Sequence, residues 1–180
     1  RHLRRHMALG YKALYKSEET YFEDVSELKC AENLLITSRG KGTRQRYWTP
    51  MSKIDEKMSL ADAIEGTKEA LLNSVKIRLR ADVPLAFCLS GGVDSAAIAS
   101  MAAKEYGAEV TTFSIIDSDE RYNEEDNIMA TIRDIGCEYH LISASQEEPL
   151  SRLKKLIEYH DAPIATISYF VHSMISEKIS

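Results

Sequence analysis

The sequence predicts an α/β fold, a parallel sheet with helices on both faces (Rossmann-like in layout), preceded by a short β-rich tail. Three observations lead there. Apolar, β-branched runs at 83–89, 109–116 and 138–143 alternate with helical patterns, and strand–helix–strand–helix–strand order implies right-handed crossovers and a parallel sheet covered by helices. Gly107 and Gly136 directly follow two of the helical stretches, where C-terminal stops belong. The composition is that of a globular domain: 180 residues, 44% hydrophobic, 28% charged, net charge −5. It excludes disordered, collagenous and coiled-coil chains.

The elements follow in order. Residues 1–50 read as short strands and turns. Glu19-Thr20-Tyr21-Phe22 is followed by Val25 to Leu28. Asn33 to Thr37 and Arg44 to Trp48 then form a hairpin around Ser38-Arg39-Gly40-Lys41-Gly42, and Pro50 ends it. This stretch is too short to bury a core of its own. From Ser59 the pattern is helical, with Leu60, Ile64, Leu71, Val75 and Leu79 on one face and Ser59 and Asp62 spaced as a capping box. Asp82-Val83-Pro84 stops that helix. Val83 to Leu89 is nearly all apolar, the pattern of a strand buried on both faces. Ala96 to Tyr106 is helical, Glu109 to Ile116 a second strand, Glu124 to Ile135 a helix with Ile128, Ile132 and Ile135 in one stripe. Glu138 to Ser143 is a third strand, Glu147 to Tyr159 a helix, and Thr166 to Ile179 another.

Charge divides the chain. Residues 1–50 carry 10 basic and 6 acidic groups, +4, and residues 51–180 carry 13 and 22, −9. The basic residues are scattered apart from Arg1 to His6, so nucleic-acid binding is not expected. Arg1 to His6 lacks the apolar stretch of a signal peptide, and no apolar run approaches the roughly 20 residues of a membrane span. The chain starts without Met, as a piece of a longer protein would. Cys30, Cys88 and Cys137 have neither disulfide-framework nor zinc spacing. They are expected to be small buried hydrophobes in a reduced, cytoplasmic protein.

The chemistry concentrates in Leu89-Ser90-Gly91-Gly92-Val93-Asp94-Ser95, between the first parallel strand and the first crossover helix. Ligands bind at the carboxyl ends of strands in open α/β sheets. Gly91 and Gly92 allow a tight turn that brings amide N–H groups to an anion. Ser90 and Ser95 add hydroxyls, and the helix starting near Asp94 directs its positive end to the same place. A carboxylate among phosphate binders is repulsive alone, so Asp94 is expected to hold Mg²⁺. The alternative, a Ser/Gly turn capped by Asp94, suits a bare S-G-G better than six residues of S-G-G-x-D-S. The loop is neither a Walker A sequence nor a dinucleotide fingerprint.

Ser90 to Ser95 resembles the pyrophosphate loop of the ATP pyrophosphatase superfamily, of the adenine nucleotide alpha hydrolase type. The surroundings resemble the glutamine-dependent asparagine synthetases in particular. Asp82-Val83-Pro84-Leu85 is similar to their "DVP" strand, and Thr112-Phe113-Ser114-Ile115 with Tyr122-Asn123-Glu124 to their "TFSI…YDE". Asp161-Ala162-Pro163 is similar to their "DEP" segment, and Tyr47-Trp48 to the "YW" closing their glutaminase domain. Gly10-Tyr11 and Glu19 to Phe22 resemble the tail of that domain. The likeness implies two domains: 1–50, the C-terminal tail of a glutaminase-like amidotransferase domain and linker, and 51–180, the N-terminal half of an ATP-binding synthetase domain.

The resemblance implies a reaction. Mg·ATP activates a carboxylate, aspartate or another, as its acyl-adenylate with release of pyrophosphate, and ammonia from glutamine then gives the amide. It places Ser90, Gly91, Gly92, Val93, Asp94 and Ser95 on pyrophosphate, Asp94 on Mg²⁺, and Cys88, Leu89 and Ile115 at the nucleotide, with Cys88 and Ile115 lining the adenosine pocket. No catalytic residue is assigned within the chain. A homodimer is compatible with this reading. Three departures remove carboxylates: Asn123 for the Asp of "YDE", Ala162 for the Glu of "DEP", and Thr166 for a later acid. They leave the acceptor open between aspartate and a sugar or secondary metabolite. The glutaminase Cys and the second nucleotide motif, S-G-[DE]-G-x-D-E, are not in the sequence, so this piece alone is expected to lack synthetase activity.

Other candidates have plainer readings. His140, His160 and His172 read as packed or capping residues, and no two of these three have H-x-x-x-H spacing. Asp117-Ser118-Asp119-Glu120 reads as a solvated loop, with contact to substrate or metal as the alternative. Tyr122 and Glu124 leave two readings open, acceptor orientation and an acidic helix start. Cys88 is expected in the interior. Two rival functions remain: a tRNA-thiolating enzyme, which usually brings Cys pairs or RNA-binding regions, and a non-catalytic nucleotide-binding module, which the intact loop opposes.

Overall fold

The computed structural model describes residues 1–14, 17–50, 54–117, 119, 121, 123–143 and 149–180. They form two compact units, Arg1–Glu56 with Leu153–Ile167, and Lys57–Arg152 with Ser168–Ser180.

In the first unit, α1 (His2–Leu9) runs into a 3₁₀ turn at Gly10–Ala13. This helix was expected as strand and turn. It has no side-chain cap and no acid in its first turn, so the usual start signals are missing. Residues 19–28 form no strand pair beyond a single bridge, Glu19 to Ser26. The Thr20 hydroxyl, within reach of the Phe22 and Val25 carbonyls, organises that turn. The predicted hairpin is present: β1 (Glu32–Ile36) pairs antiparallel with β2 (Gly42–Arg46), Leu34 opposite Arg44. Arg44 donates to Glu18 at 2.7 Å and holds that carboxyl below its usual range.

The second unit begins with α2 (Leu60–Arg78). Its start is the predicted capping box: Ser59 Oγ accepts from the Asp62 amide, and the Asp62 carboxylate accepts from the Ser59 amide. Then come β3 (Ala86–Cys88), α3 (Val93–Ser100) continuing as a π-helical turn at Met101–Glu105, β4 (Thr111–Ile116), α4 (Glu125–Ile135) and β5 (Glu138–Ser143). Gly136 ends α4 in the left-handed conformation, φ 65°, which a glycine accepts without a Cβ penalty. α5 (Pro149–His160) belongs from Leu153 onward to the first unit, and α6 (Ser168–Ile179), in the second, lies against β4.

The sheet is parallel throughout, in the order β3-β4-β5, and is flanked by helices. Its core has two parts. Val75, Ala99, Ala102 and Val110 pack between α2 and the α3 region, and Leu89, Ile128 and Ile132 pack beneath α4. One expectation is corrected. The strand buried on both faces is the central β4, where Thr112, Phe113 and Ser114 are all buried, and not β3. β3 has only β4 as a neighbour among the described residues, so Val83 is 70% exposed and Ala86 and Cys88 are exposed too. Cys30 is also exposed and Cys137 half-buried, so the expectation of three buried cysteines fails. Cys30 sits on a turn and Cys88 on an edge strand, whereas Cys137, at a helix–strand junction, packs against both core clusters. No helix of the described residues is long and apolar enough to cross a membrane.

Candidate functional site at the β3–α3 loop

Leu89 anchors the loop. It is 1% exposed, packs on Ile128 and Ile132, and donates its amide to the Phe113 carbonyl at 3.0 Å. This pins the chain where β3 ends, and the next three residues turn. Gly91 turns with φ +82°. A Cβ there would lie 2.6 Å from Glu124 Cβ, 3.1 Å from the Glu124 carbonyl oxygen and 3.2 Å from its carboxylate Oε2. The loop is therefore seated directly against the start of α4, which no local signal in the sequence reveals.

Gly92 is extended (φ −78°, ψ 155°) and is the N-cap of α3, with no side-chain cap. The first amides of that helix are left for a ligand or solvent, a disposition suited to an anion. Ser90 and Ser95 brace the turn. Their hydroxyls are 3.0 Å apart, the Ser90 amide donates to Ser95 Oγ at 3.2 Å, and Ser95 Oγ donates to the Gly92 carbonyl at 3.1 Å. The two serines thus hold the loop's shape as well as offering polar atoms. Val93 and Asp94 are exposed on the first turn. The Asp94 carboxylate makes no hydrogen bond or ion pair among the described residues.

The parallel register places Cys88 beside Phe113. Ile115 lies two residues beyond Phe113, on the same face of the sheet. Cys88 and Ile115 therefore share a face at the carboxyl end of adjacent strands. Cys88 is exposed and not interior as expected, because an edge strand leaves it uncovered.

Other candidates resolve locally. Arg121 grips Asp119 in a fork, with Nη2 2.6 Å from Oδ2, and lowers its carboxyl below the usual range. The Asp119 amide donates to Asp117 Oδ1. Asp117, Asp119 and Arg121 thus bond to one another. Ser118, Glu120 and Tyr122 lie outside the described residues. Asn123 Oδ1 accepts from the Glu125 amide at 2.9 Å, so the residue that departs from the "YDE" pattern helps start α4. His140 stacks on Phe113, centroids 4.7 Å apart, as a packed histidine does. Sequence reasoning passed over His2 and His6, which have four-residue spacing on α1 and flank Tyr21, with ring centroids 4.6 and 5.9 Å away. No group of three or more His, Cys, Asp or Glu suited to a metal occurs among the described residues.

The family model described as asparagine synthase matches residues 66–180. "Amidase chry2" of Gibberella zeae is 26% identical over 177 residues, covering 89% of this chain and 26% of that protein. A putative glutamine-hydrolyzing asparagine synthetase 2 of Methanocaldococcus jannaschii is 25% identical over 174 residues, 96% of this chain and 33% of that protein. Glutamine-hydrolyzing asparagine synthetase 1 of Bacillus subtilis is 33% identical over 102 residues, 57% of this chain and 16% of that protein. The chain spans no more than a third of the length of these relatives.

Proposed function

Because this chain belongs to the asparagine synthase family, ATP-dependent amidotransferases acting on small molecules, we propose that its β3–α3 loop binds the phosphates of ATP in an amide-forming ligase. The single observation that carries the reading is the loop itself. It has a left-handed Gly91 at a strand's carboxyl end, an uncapped helix start behind it, and two serines cross-bracing it.

The residues fit the group they would bind. Gly91 and Gly92 leave the loop backbone bare, and the α3 amides and dipole complement negative charge. Asp94, exposed and unpaired at the same turn, suits Mg²⁺, which takes one or two carboxylates together with phosphate oxygens and water. When bound, the metal neutralises charge on the phosphates. The chain's own part is to orient the pyrophosphate portion so that it leaves as a carboxylate attacks the α-phosphate. That is electrostatic and positional catalysis. Cys88 and Ile115, on one face beside the loop, would border the adenosine.

Aspartate, activated as its acyl-adenylate and amidated with glutamine-derived ammonia, is the acceptor we favour. A second reading, amidation of a different carboxylate in a sugar or secondary metabolite, is favoured by Asn123, Ala162 and Thr166, each of which stands in place of an acid. Residues 1–50 would be the end of a glutaminase-like domain in either case. Calorimetry with Mg·ATP tests the loop assignment. Binding by the wild type that is lost or strongly weakened in Asp94→Ala is expected. Equal binding by both, or none by either, would overturn it.

A further inference from the structure

The three atoms nearest to the Cβ position of Gly91 all belong to Glu124: its Cβ, its carbonyl oxygen and its carboxylate Oε2. It is exposed, stands at the N-cap of α4, and gives no side-chain cap to that helix. Its carboxylate makes no hydrogen bond or ion pair among the described residues. The acid is thus neither a cap nor half of a salt bridge. It lies beside the loop, with its carbonyl oxygen 3.1 Å and its Oε2 3.2 Å from the Cβ position of Gly91.

Resting on the reading of this loop as a polyphosphate site, we propose that Glu124 is a specificity-determining residue that makes the loop discriminate metal-bound from metal-free polyphosphate. A bare pyrophosphate group brings several negative charges to a loop already facing two unpaired carboxylates, Asp94 and Glu124. Like charges brought close together disfavour binding. A divalent cation on the phosphates removes the repulsion and turns Glu124 from an opponent into a neutral or attractive neighbour. Asp94 alone would give some metal dependence. Glu124, held against Gly91 from the start of α4, adds to it. The discrimination suits an enzyme that must not fill its site with uncomplexed nucleotide.

The test is calorimetric titration of the full chain with inorganic pyrophosphate, with and without Mg²⁺. Glu124→Gln keeps the Cβ and carbonyl that seat Gly91 and removes only the charge. Glu105→Gln, at the far end of the α3 region, removes the same charge away from the loop. In Glu124→Gln the affinity for metal-free pyrophosphate should rise on the order of tenfold, the scale of one partly screened charge pair. The affinity for the magnesium complex should stay level or fall, and Glu105→Gln should match wild type. An unchanged metal-free affinity in Glu124→Gln, or an equal rise in Glu105→Gln, would overturn the proposal. Failure of wild type to bind pyrophosphate in either form would instead overturn the assignment of the loop. Matched circular dichroism spectra of the three proteins show that folding is not what is read.

Discussion

Gly91→Ala is the sharpest perturbation of the loop. Two effects add. At φ +82° a residue with a Cβ loses about 1–2 kcal/mol from left-handed backbone sterics. The added methyl would also stand 2.6 Å from Glu124 Cβ and 3.1 Å from the Glu124 carbonyl oxygen. The second of these is backbone and cannot rotate away, so the clash resembles core overpacking, typically about 1–3 kcal/mol. The loss should total about 2–5 kcal/mol, a large share of an ordinary domain's stability. Gly92→Ala is the internal control. Its φ is −78° and the nearest atom to its Cβ position is Ser90 Oγ at 3.5 Å, so it should lose no more than about 1 kcal/mol as an N-cap change. Urea unfolding with a constant m-value would measure both. Glu124→Gly removes the 2.6 Å contact, so the double mutant Gly91→Ala/Glu124→Gly should recover part of the loss, with a coupling of about 1 kcal/mol or more. Equal losses at the two glycines, or strict additivity in the cycle, would refute the seating of the loop against α4.

Three further outcomes follow. Ile128→Ala, at a position with no exposure beneath Leu89, should lose about 2–5 kcal/mol in the same urea measurement and loosen the loop, read as weaker pyrophosphate binding. Ser59→Ala, which removes one half of the α2 capping box, should lose about 1 kcal/mol, measured by thermal melting at pH 7. The Asp62 carboxyl sits below its usual pKa because the Ser59 hydroxyl and then its amide bond to it. Its contribution is therefore present above the unfolded-state pKa and lost as pH falls through the lower folded value. Melting curves of wild type and Asp62→Asn should differ at neutral pH and converge in acid, and a gap that widens in acid would contradict the cap.

The elements readable in the sequence are those whose signals are local. Ser59 and Asp62 announced α2, Gly136 announced the end of α4, and the alternating strand–helix order announced a parallel sheet, with β5 at the expected Glu138–Ser143. Burial was misassigned between β3 and β4 because an apolar run reports a preference and not a place in the sheet. Val83 to Leu89 is the more uniformly apolar stretch, yet Thr112 and Ser114 are the residues with neighbours on both sides. α1 was missed because a short basic helix without caps has nothing local to distinguish it from turns.

The same distinction governs the site. The β3–α3 loop is contiguous, so its glycines, serines and carboxylate can be read from one line of sequence. What the loop rests on cannot be read that way. Gly91 looks like a turn glycine, but its neighbour is Glu124 on another crossover unit, and that contact constrains both residues. The acceptor side is harder still. The three departures from the family pattern, Asn123, Ala162 and Thr166, are scattered in sequence. Asn123 shows how a replacement can keep a local role, since its side chain still organises the start of α4. An Asn at this position brings no charge and still accepts from the Glu125 amide. On the proposed reading of the loop, a search for the substrate varies the carboxylate acceptor and holds Mg·ATP constant.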